Sequence, residues 1–162
     1  MASSRYDLVT RLPQGAEIAE IGVHRGDFAR HILQTCHPKR LVLVDLDLSL
    51  VDPAVTSDPR VEQIRGYSHD ILNGFADDSF DWIYIDADHS YEGCKRDALA
   101  AASKVRPGGH LVFNDFAHLD AGLGIYGVHR AVVEFAKEQG WPFVRFAYDP
   151  AALYDVALRR PL

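Results

Sequence analysis

The chain has 162 residues, 48% of them hydrophobic, and a formal net charge of −6. This length and apolar content predict one domain, residues 1–162, with an extensive core. The acidic balance, with no Lys/Arg-rich run, argues against nucleic acid or a membrane surface as the main partner.

No apolar run approaches the roughly 18 residues of a membrane span, and the N-terminus lacks an apolar leader segment. Cys36 and Cys94 lie in helical patterns. We therefore expect a cytoplasmic protein with reduced thiols that acts on a small molecule.

Two kinds of apolar pattern alternate along the chain. Short β-branched or aromatic runs predict buried strands at residues 17–23, 40–46, 80–86 and 109–113, with a weaker candidate at 60–67. Helical spacing predicts helices at 28–36, 91–105 and 128–135, and a short N-terminal helix within residues 1–16 that Ser4 or Asp7 could cap. Residues 141–148 and 153–158 predict a closing hairpin. This alternation is typical of an α/β protein with a doubly wound, mainly parallel sheet.

The first strand-to-helix turn reads AEIGVHRGDFAR and contains Gly22 and Gly26. Ligands of doubly wound sheets bind outside the carboxyl ends of the strands, so this turn is a candidate binding element. Glycine lets the backbone turn tightly and approach a ligand, and Asp27 could cap the following helix. The pattern alone is equally consistent with simple chain reversal.

An acid at the end of the second predicted strand strengthens the case for a ligand. Asp45 lies 19 residues beyond Gly26, close to the spacing at which a carboxylate binds the ribose hydroxyls of a nucleoside. Asp47 is a nearby alternative, and either acid could simply be solvated. The turn and the acid together predict a cofactor that contains a nucleoside.

The charge of the turn indicates which nucleoside cofactor fits. The third glycine of the pyrophosphate-binding fingerprint is missing, and Asp27 occupies the place where phosphates would lie. Glu20, in the last turn of the first strand, adds a second negative group. A cationic ligand suits this site, and S-adenosylmethionine, a sulfonium that carries adenosine, meets that description.

The segment from Glu20 to Gly26, EIGVHRG, resembles motif I of the class I S-adenosylmethionine-dependent methyltransferases. The segment RPGG at residues 106–109 resembles the turn before the fifth strand of those enzymes. Three further segments, DADHSYEG at 86–93, FNDF at 113–116 and GVHRAV at 127–132, are similar to the metal-dependent sugar O-methyltransferases of macrolide and aminocoumarin biosynthesis. The resemblance covers roughly residues 17–137.

This resemblance implies a seven-stranded Rossmann-like sheet that ends in an antiparallel hairpin. It implies that Glu20, Gly22, Gly26, Asp45 and Asp86 lie at the cofactor, with Tyr67 and Ser68 at its adenine. It also implies that Asp86, Asn114 and Asp115 hold a divalent metal such as Mg²⁺, and that His89 is the catalytic base. Asn114 departs from the family, which usually has an acid at this position, and a neutral amide weakens a cation site by one charge.

The chemistry of these residues agrees with such roles. A hydroxyl is a poor nucleophile at neutral pH, so methylation of a hydroxyl requires a base within hydrogen-bond reach or a metal that lowers the hydroxyl's pKa. Histidine suits the first task, and carboxylate and amide oxygens suit Mg²⁺. Asp88 or Ser90 could instead serve only to cap the helix that begins near Tyr91.

Two other kinds of function remain open. Tyr91 and Lys95 form a YxxxK pattern, the catalytic spacing of NAD(P)-dependent short-chain dehydrogenases. Alternatively, the chain is a non-catalytic cofactor-binding domain. The acceptor is undetermined, methylation of nitrogen is not excluded, and the glycine-rich segment 117–127 is a candidate lid or homodimer contact.

Overall fold

A computed structural model describes residues 1–117, 119–120, 124–148 and 154–162, and for residues 119, 120, 124 and 125 it describes the backbone alone. The helices are α1 (Arg5–Val9), α2 (Asp27–Thr35), α3 (Pro53–Thr56), α4 (Ser68–Gly74), α5 (Tyr91–Ala102) and α6 (Val128–Gln139). The strands are β1 (Glu17–Ile21), β2 (Arg40–Asp45), β3 (Val61–Arg65), β4 (Phe80–Ile85), β5 (Val105–Phe113), β6 (Leu119–Asp120), β7 (Gly124–Ile125), β8 (Phe143–Tyr148) and β9 (Tyr154–Arg159). None of the helices in these described ranges is long and apolar enough to cross a membrane.

Seven strands form one sheet in the order β3-β2-β1-β4-β5-β9-β8. The pairs from β3 to β5 are parallel, whereas β9 is antiparallel to both β5 and β8. This arrangement confirms the expected Rossmann-like, doubly wound sheet with a C-terminal antiparallel hairpin. The strand order reverses between β1 and β4, and ligand crevices of such sheets open at that point.

Both faces of the sheet are covered by apolar packing. Side chains alternate between the faces of a strand, so Ile18 packs in one core cluster and its neighbour Ala19 in the other. Leu41 and Val42 on β2 divide between the clusters in the same way. Burial on both faces explains why these strands appear in the sequence as continuous apolar runs.

Several local predictions are confirmed. Ser4 caps α1 by accepting a hydrogen bond from the Asp7 amide, and Ser90 caps α5 by accepting one from the Gly93 amide. Cys36 and Cys94 are buried free thiols. The predicted lid includes residues 118 and 121–123, which lie outside the described residues, as do residues 149–153 between β8 and β9.

Other local predictions are wrong. The residue that caps α2 is Gly26, with no side-chain cap, and Asp27 is instead the first helical residue, 3.4 Å from Arg30. The segment at residues 106–109 was expected to be a turn, but it lies within β5, where the pairing with β4 shifts register. The short helices α3 and α4 were not predicted.

Candidate functional site

A cleft of about 610 Å³ opens at the carboxyl ends of β1, β2, β3 and β4. Its volume is typical of a small-molecule site. Of the residues predicted to contact a cofactor, six line this cleft: Glu20, Gly22, Asp45, Tyr67, Ser68 and Asp86. Gly26 does not line it. The topology therefore brings together residues that lie up to 66 positions apart in the sequence.

Gly22 follows β1 and has a left-handed backbone conformation with φ of 87°. A Cβ at this position would lie 2.2 Å from the carbonyl oxygen of Asp86. The glycine is thus required for two reasons, its positive φ and the close approach of the turn to the end of β4. Gly26 has a φ of 78°, and its place is at the start of α2 against Val51.

The carboxylate of Asp45 holds the turn after β1 in place. Its Oδ2 accepts hydrogen bonds from the backbone amides of Val23 at 2.7 Å and His24 at 3.1 Å. Burial acts to raise the pKa of Asp45, but these backbone donors and the Asp47 amide outweigh it, so the pKa is lowered. Asp45 is therefore an ionised acceptor at the rim of the cleft, whereas Asp47 is exposed and does not line it.

Glu20 is the most deeply buried acid at the β1 end of the cleft, with 2% of its surface exposed. Its Oε2 has no hydrogen-bond partner among the described residues. Burial, with the negative charge of Asp86 nearby, raises the pKa of Glu20 well above its usual range. A cationic ligand in the cleft would offset the cost of ionising this buried carboxylate.

Arg5 enters the cleft from α1, and sequence reasoning missed it. Its Nη1 lies 3.1 Å from Oδ2 of Asp86, and its guanidinium lies 4.7 Å from the centre of the Phe28 ring. Burial acts to lower the pKa of Arg5, but the surrounding acidic groups, including Asp86, raise it. The guanidinium is consequently a fixed positive charge at the end of β4.

His89 lies beyond Asp86, outside the lining of the cleft. Its Nε2 is 3.3 Å from Oδ1 of Asp86 and 3.6 Å from Oδ2 of Asp115. Burial acts to lower the pKa of His89, but the two carboxylates raise it above 6.5. The ring of Tyr126 lies against the imidazole, with centroids 4.8 Å apart. The structure thus brings His89, Asp86 and Asp115 together as the sequence predicted.

Asn114 contacts His89 through a side-chain hydrogen bond and also belongs to a second set of contacts. Its Nδ2 donates to Oδ1 of Asp155 at 3.1 Å and to the hydroxyl of Tyr84 at 3.3 Å, and that hydroxyl donates to Oδ2 of Asp155 at 2.5 Å. All three side chains are buried. Burial raises the pKa of Asp155 to about 7. Nothing in the sequence around Asp155 indicated this role, because it depends on the pairing of β9 with β5.

The arrangement does not fit a divalent metal at Asp86, Asn114 and Asp115. Both oxygens of Asp86 already have partners, Oδ2 with Arg5 and Oδ1 with His89, and the Asn114 side chain is engaged by Asp155 and His89. Within the described ranges, no group of three or more His, Cys, Asp or Glu side chains is placed to hold a metal ion. The geometry therefore gives no support to the Mg²⁺ site.

The Tyr91–Lys95 pair lies outside the cleft. The Tyr91 hydroxyl donates to Glu134 at 2.5 Å, and Lys95 contacts Glu134 at 3.0 Å and Glu138 at 3.1 Å. These contacts join α5 to α6 on the surface. They give the YxxxK pattern a structural role and leave the dehydrogenase alternative without support.

Asp97, at the other end of the cleft, was not selected by the sequence analysis. The hydroxyl of Ser68 donates to Oδ1 of Asp97 at 2.6 Å, and Asp97 is 1% exposed. The lining of the whole cleft includes six acidic residues and three arginines. Such a surface favours a ligand with positive charge.

Part of the chain matches a known protein family. Residues 19–116 match a family model described as a methyltransferase domain. A search by sequence among curated proteins found no match.

Solved structures share the fold at low sequence identity. The chain is similar to the pyocyanin biosynthetic protein PhzM, with 14% identity and a TM-score of 0.71 over 96% of this chain and 53% of that one. It is similar to a SAM-dependent methyltransferase from Methanosarcina mazei, with 12% identity and a TM-score of 0.72 over 98% and 99%. It is also similar to the N-methyltransferase NodS from Bradyrhizobium japonicum in complex with S-adenosyl-L-homocysteine, with 19% identity and a TM-score of 0.70 over 98% and 83%. The fold is that of the SAM-dependent methyltransferases.

Proposed function

Because the chain belongs to the methyltransferase domain family, we propose that it transfers a methyl group from S-adenosylmethionine to a hydroxyl of a small-molecule acceptor. The observation that carries the hydroxyl assignment is the position of His89 between two carboxylates beside the cleft. The narrower resemblance to sugar O-methyltransferases stays a prediction.

The residues of the cleft fit the parts of this cofactor. Asp45 is an ionised acceptor at the end of β2, suited to the ribose hydroxyls. Tyr67 and Ser68, after β3, line the same cleft, and we assign them to the adenine. Glu20 offers its buried Oε2 to the ammonium or sulfonium charge, and Gly22 lets the backbone approach the same end of the ligand.

When bound, S-adenosylmethionine supplies an electrophilic methyl group on a positively charged sulfur. With the cofactor bound, His89 would remove the proton of the acceptor hydroxyl, whose oxygen would take the methyl group while the sulfonium becomes the thioether of S-adenosylhomocysteine. Asp86 and Asp115 stabilise the resulting imidazolium. Arg5, held on Asp86, fixes the carboxylate that orients His89.

The raised pKa of His89 gives the proposal a pH signature. The base must be neutral, so turnover should rise with pH through an ionisation above 6.5 and then level off. A base of this kind typically contributes 10²–10⁴-fold, so we expect His89→Ala to lower turnover by roughly that factor. Its affinity for S-adenosylhomocysteine should remain close to that of the wild type.

The test is a screen of hydroxyl and amine acceptors with radiolabelled S-adenosylmethionine, followed by pH profiles of the variants. His129→Ala serves as the control because His129 is exposed on α6. If the rise of turnover with pH disappears in His89→Ala but persists in His129→Ala, the result supports His89 as the base. Near-normal turnover of His89→Ala refutes it, and cofactor binding without turnover on any acceptor favours a non-catalytic domain.

A further inference from the structure

The carboxylate of Asp97 is incompletely satisfied although it is almost fully buried. Asp97 is 1% exposed and lines the cleft. Its Oδ1 accepts a hydrogen bond from Ser68 Oγ at 2.6 Å, but its Oδ2 has no hydrogen-bond partner among the described residues. Burial raises the pKa of Asp97. A buried acceptor of this kind is costly without a donor, so a ligand that fills the cleft should supply one.

The position of Asp97 identifies which part of the ligand reaches it. The residue projects from α5 one turn after Gly93, and a Cβ at Gly93 would lie 2.1 Å from a carboxylate oxygen of Asp88. This face of α5 therefore packs against the loop after β4. On its other side, Asp97 contacts Ser68 at the start of α4. The cationic end of the ligand belongs near Glu20, on β1, so the group that reaches Asp97 is the base.

We propose that Asp97 selects adenine by accepting a hydrogen bond from its exocyclic 6-amino group, with Ser68 holding the carboxylate in place. The proposal rests on the function proposed above. The open Oδ2 of Asp97 lacks a donor among the described residues, so an amino group at position 6 of the base would satisfy it, whereas an oxo group there would bring two acceptors together. Asp97 is thus a specificity-determining residue that contacts the cofactor.

The experiment compares two ligands by calorimetry: S-adenosylhomocysteine and its analogue in which hydrogen replaces the 6-amino group. The analogue keeps N1 as an acceptor, so the comparison isolates the amino group. A hydrogen bond to a charged group should make wild-type protein prefer S-adenosylhomocysteine by roughly tenfold to hundredfold. Asp97→Ala should lose most of this preference, mainly through weaker binding of S-adenosylhomocysteine.

Asp70→Ala is the matched control, because Asp70 lies on α4 with its side chain 70% exposed and outside the cleft lining. This variant should keep the wild-type preference. Ser68→Ala should show an intermediate preference, which keeps the proposal testable if Asp97→Ala does not fold. Equal wild-type affinity for the two ligands, or an unchanged preference in Asp97→Ala, overturns the role of Asp97. Failure of the wild type to bind either ligand overturns the proposed function itself.

Discussion

Replacement of Gly22 by alanine tests whether the turn after β1 depends on close contact with β4. Alanine at a left-handed backbone position costs about 1–2 kcal/mol, and Gly22 has a φ of 87°. The added Cβ would also lie 2.2 Å from the Asp86 carbonyl oxygen, and such overpacking typically costs about 1–3 kcal/mol more. We therefore expect Gly22→Ala to lower the free energy of unfolding by roughly 2–5 kcal/mol.

Gly15→Ala is the matched control for this prediction. Gly15 has a φ of 61°, and a Cβ there would meet no atom within 4 Å. It should therefore show the conformational cost alone, about 1–2 kcal/mol. Urea denaturation of both variants measures the difference, and calorimetry with S-adenosylhomocysteine measures whether the displaced turn still binds the cofactor. Equal destabilisation by the two substitutions, with cofactor affinity intact in Gly22→Ala, would refute the reasoning.

Three further predictions concern charge and metal. Asp45→Ala should weaken S-adenosylhomocysteine binding about tenfold or more, since it removes charged hydrogen bonds. Asp47→Ala should change the affinity little. The reverse result in calorimetry would assign the ribose to Asp47. The pKa of Asp155, raised to about 7 by burial, means that the folded protein retains a proton that the unfolded chain releases. The free energy of unfolding that this proton contributes is fully present below the pKa of about 3.9 that Asp155 has in the unfolded chain. It should therefore fall as the pH rises to 7, by up to about 1.4 kcal/mol per pH unit. Asp155→Asn should remove this slope in urea titrations, and an unchanged slope would contradict the shift. Treatment with EDTA should leave methyl transfer unchanged, because Arg5 and His89 flank both oxygens of Asp86; activity that returns only with Mg²⁺ would restore the metal site.

The parts of the fold that the sequence predicted are those with strong local signals. β1, β2 and β4 are buried on both faces, so each is a continuous apolar run. The glycines and the acid at the ends of β1 and β2 have spacings that the backbone geometry of a nucleoside site requires. Together with the charge argument, these signals indicated three residues of the cleft, Glu20, Gly22 and Asp45. The other three, Tyr67, Ser68 and Asp86, were named from the resemblance to methyltransferases.

The features that were missed depend on tertiary contacts. α3 and α4 have 4 and 7 residues, too short for a helical period to stand out. Arg5 and Asp155 have their roles because α1 packs against β8 and β9 and because β9 pairs with β5. Asp97 left one signal, an acid within the apolar stripe of α5 that includes Cys94 and Ala98. A charged residue at a buried helical position indicates a partner or a ligand.

The central claim is that the cleft at the ends of β1 to β4 binds S-adenosylmethionine. The most direct measurement is a calorimetric titration of the wild-type protein with S-adenosylhomocysteine, in parallel with NAD⁺ and NADP⁺. Our account predicts saturable binding of one S-adenosylhomocysteine per chain and none of either dinucleotide, because the acids of the cleft repel a pyrophosphate. Binding of a dinucleotide without binding of S-adenosylhomocysteine would contradict it.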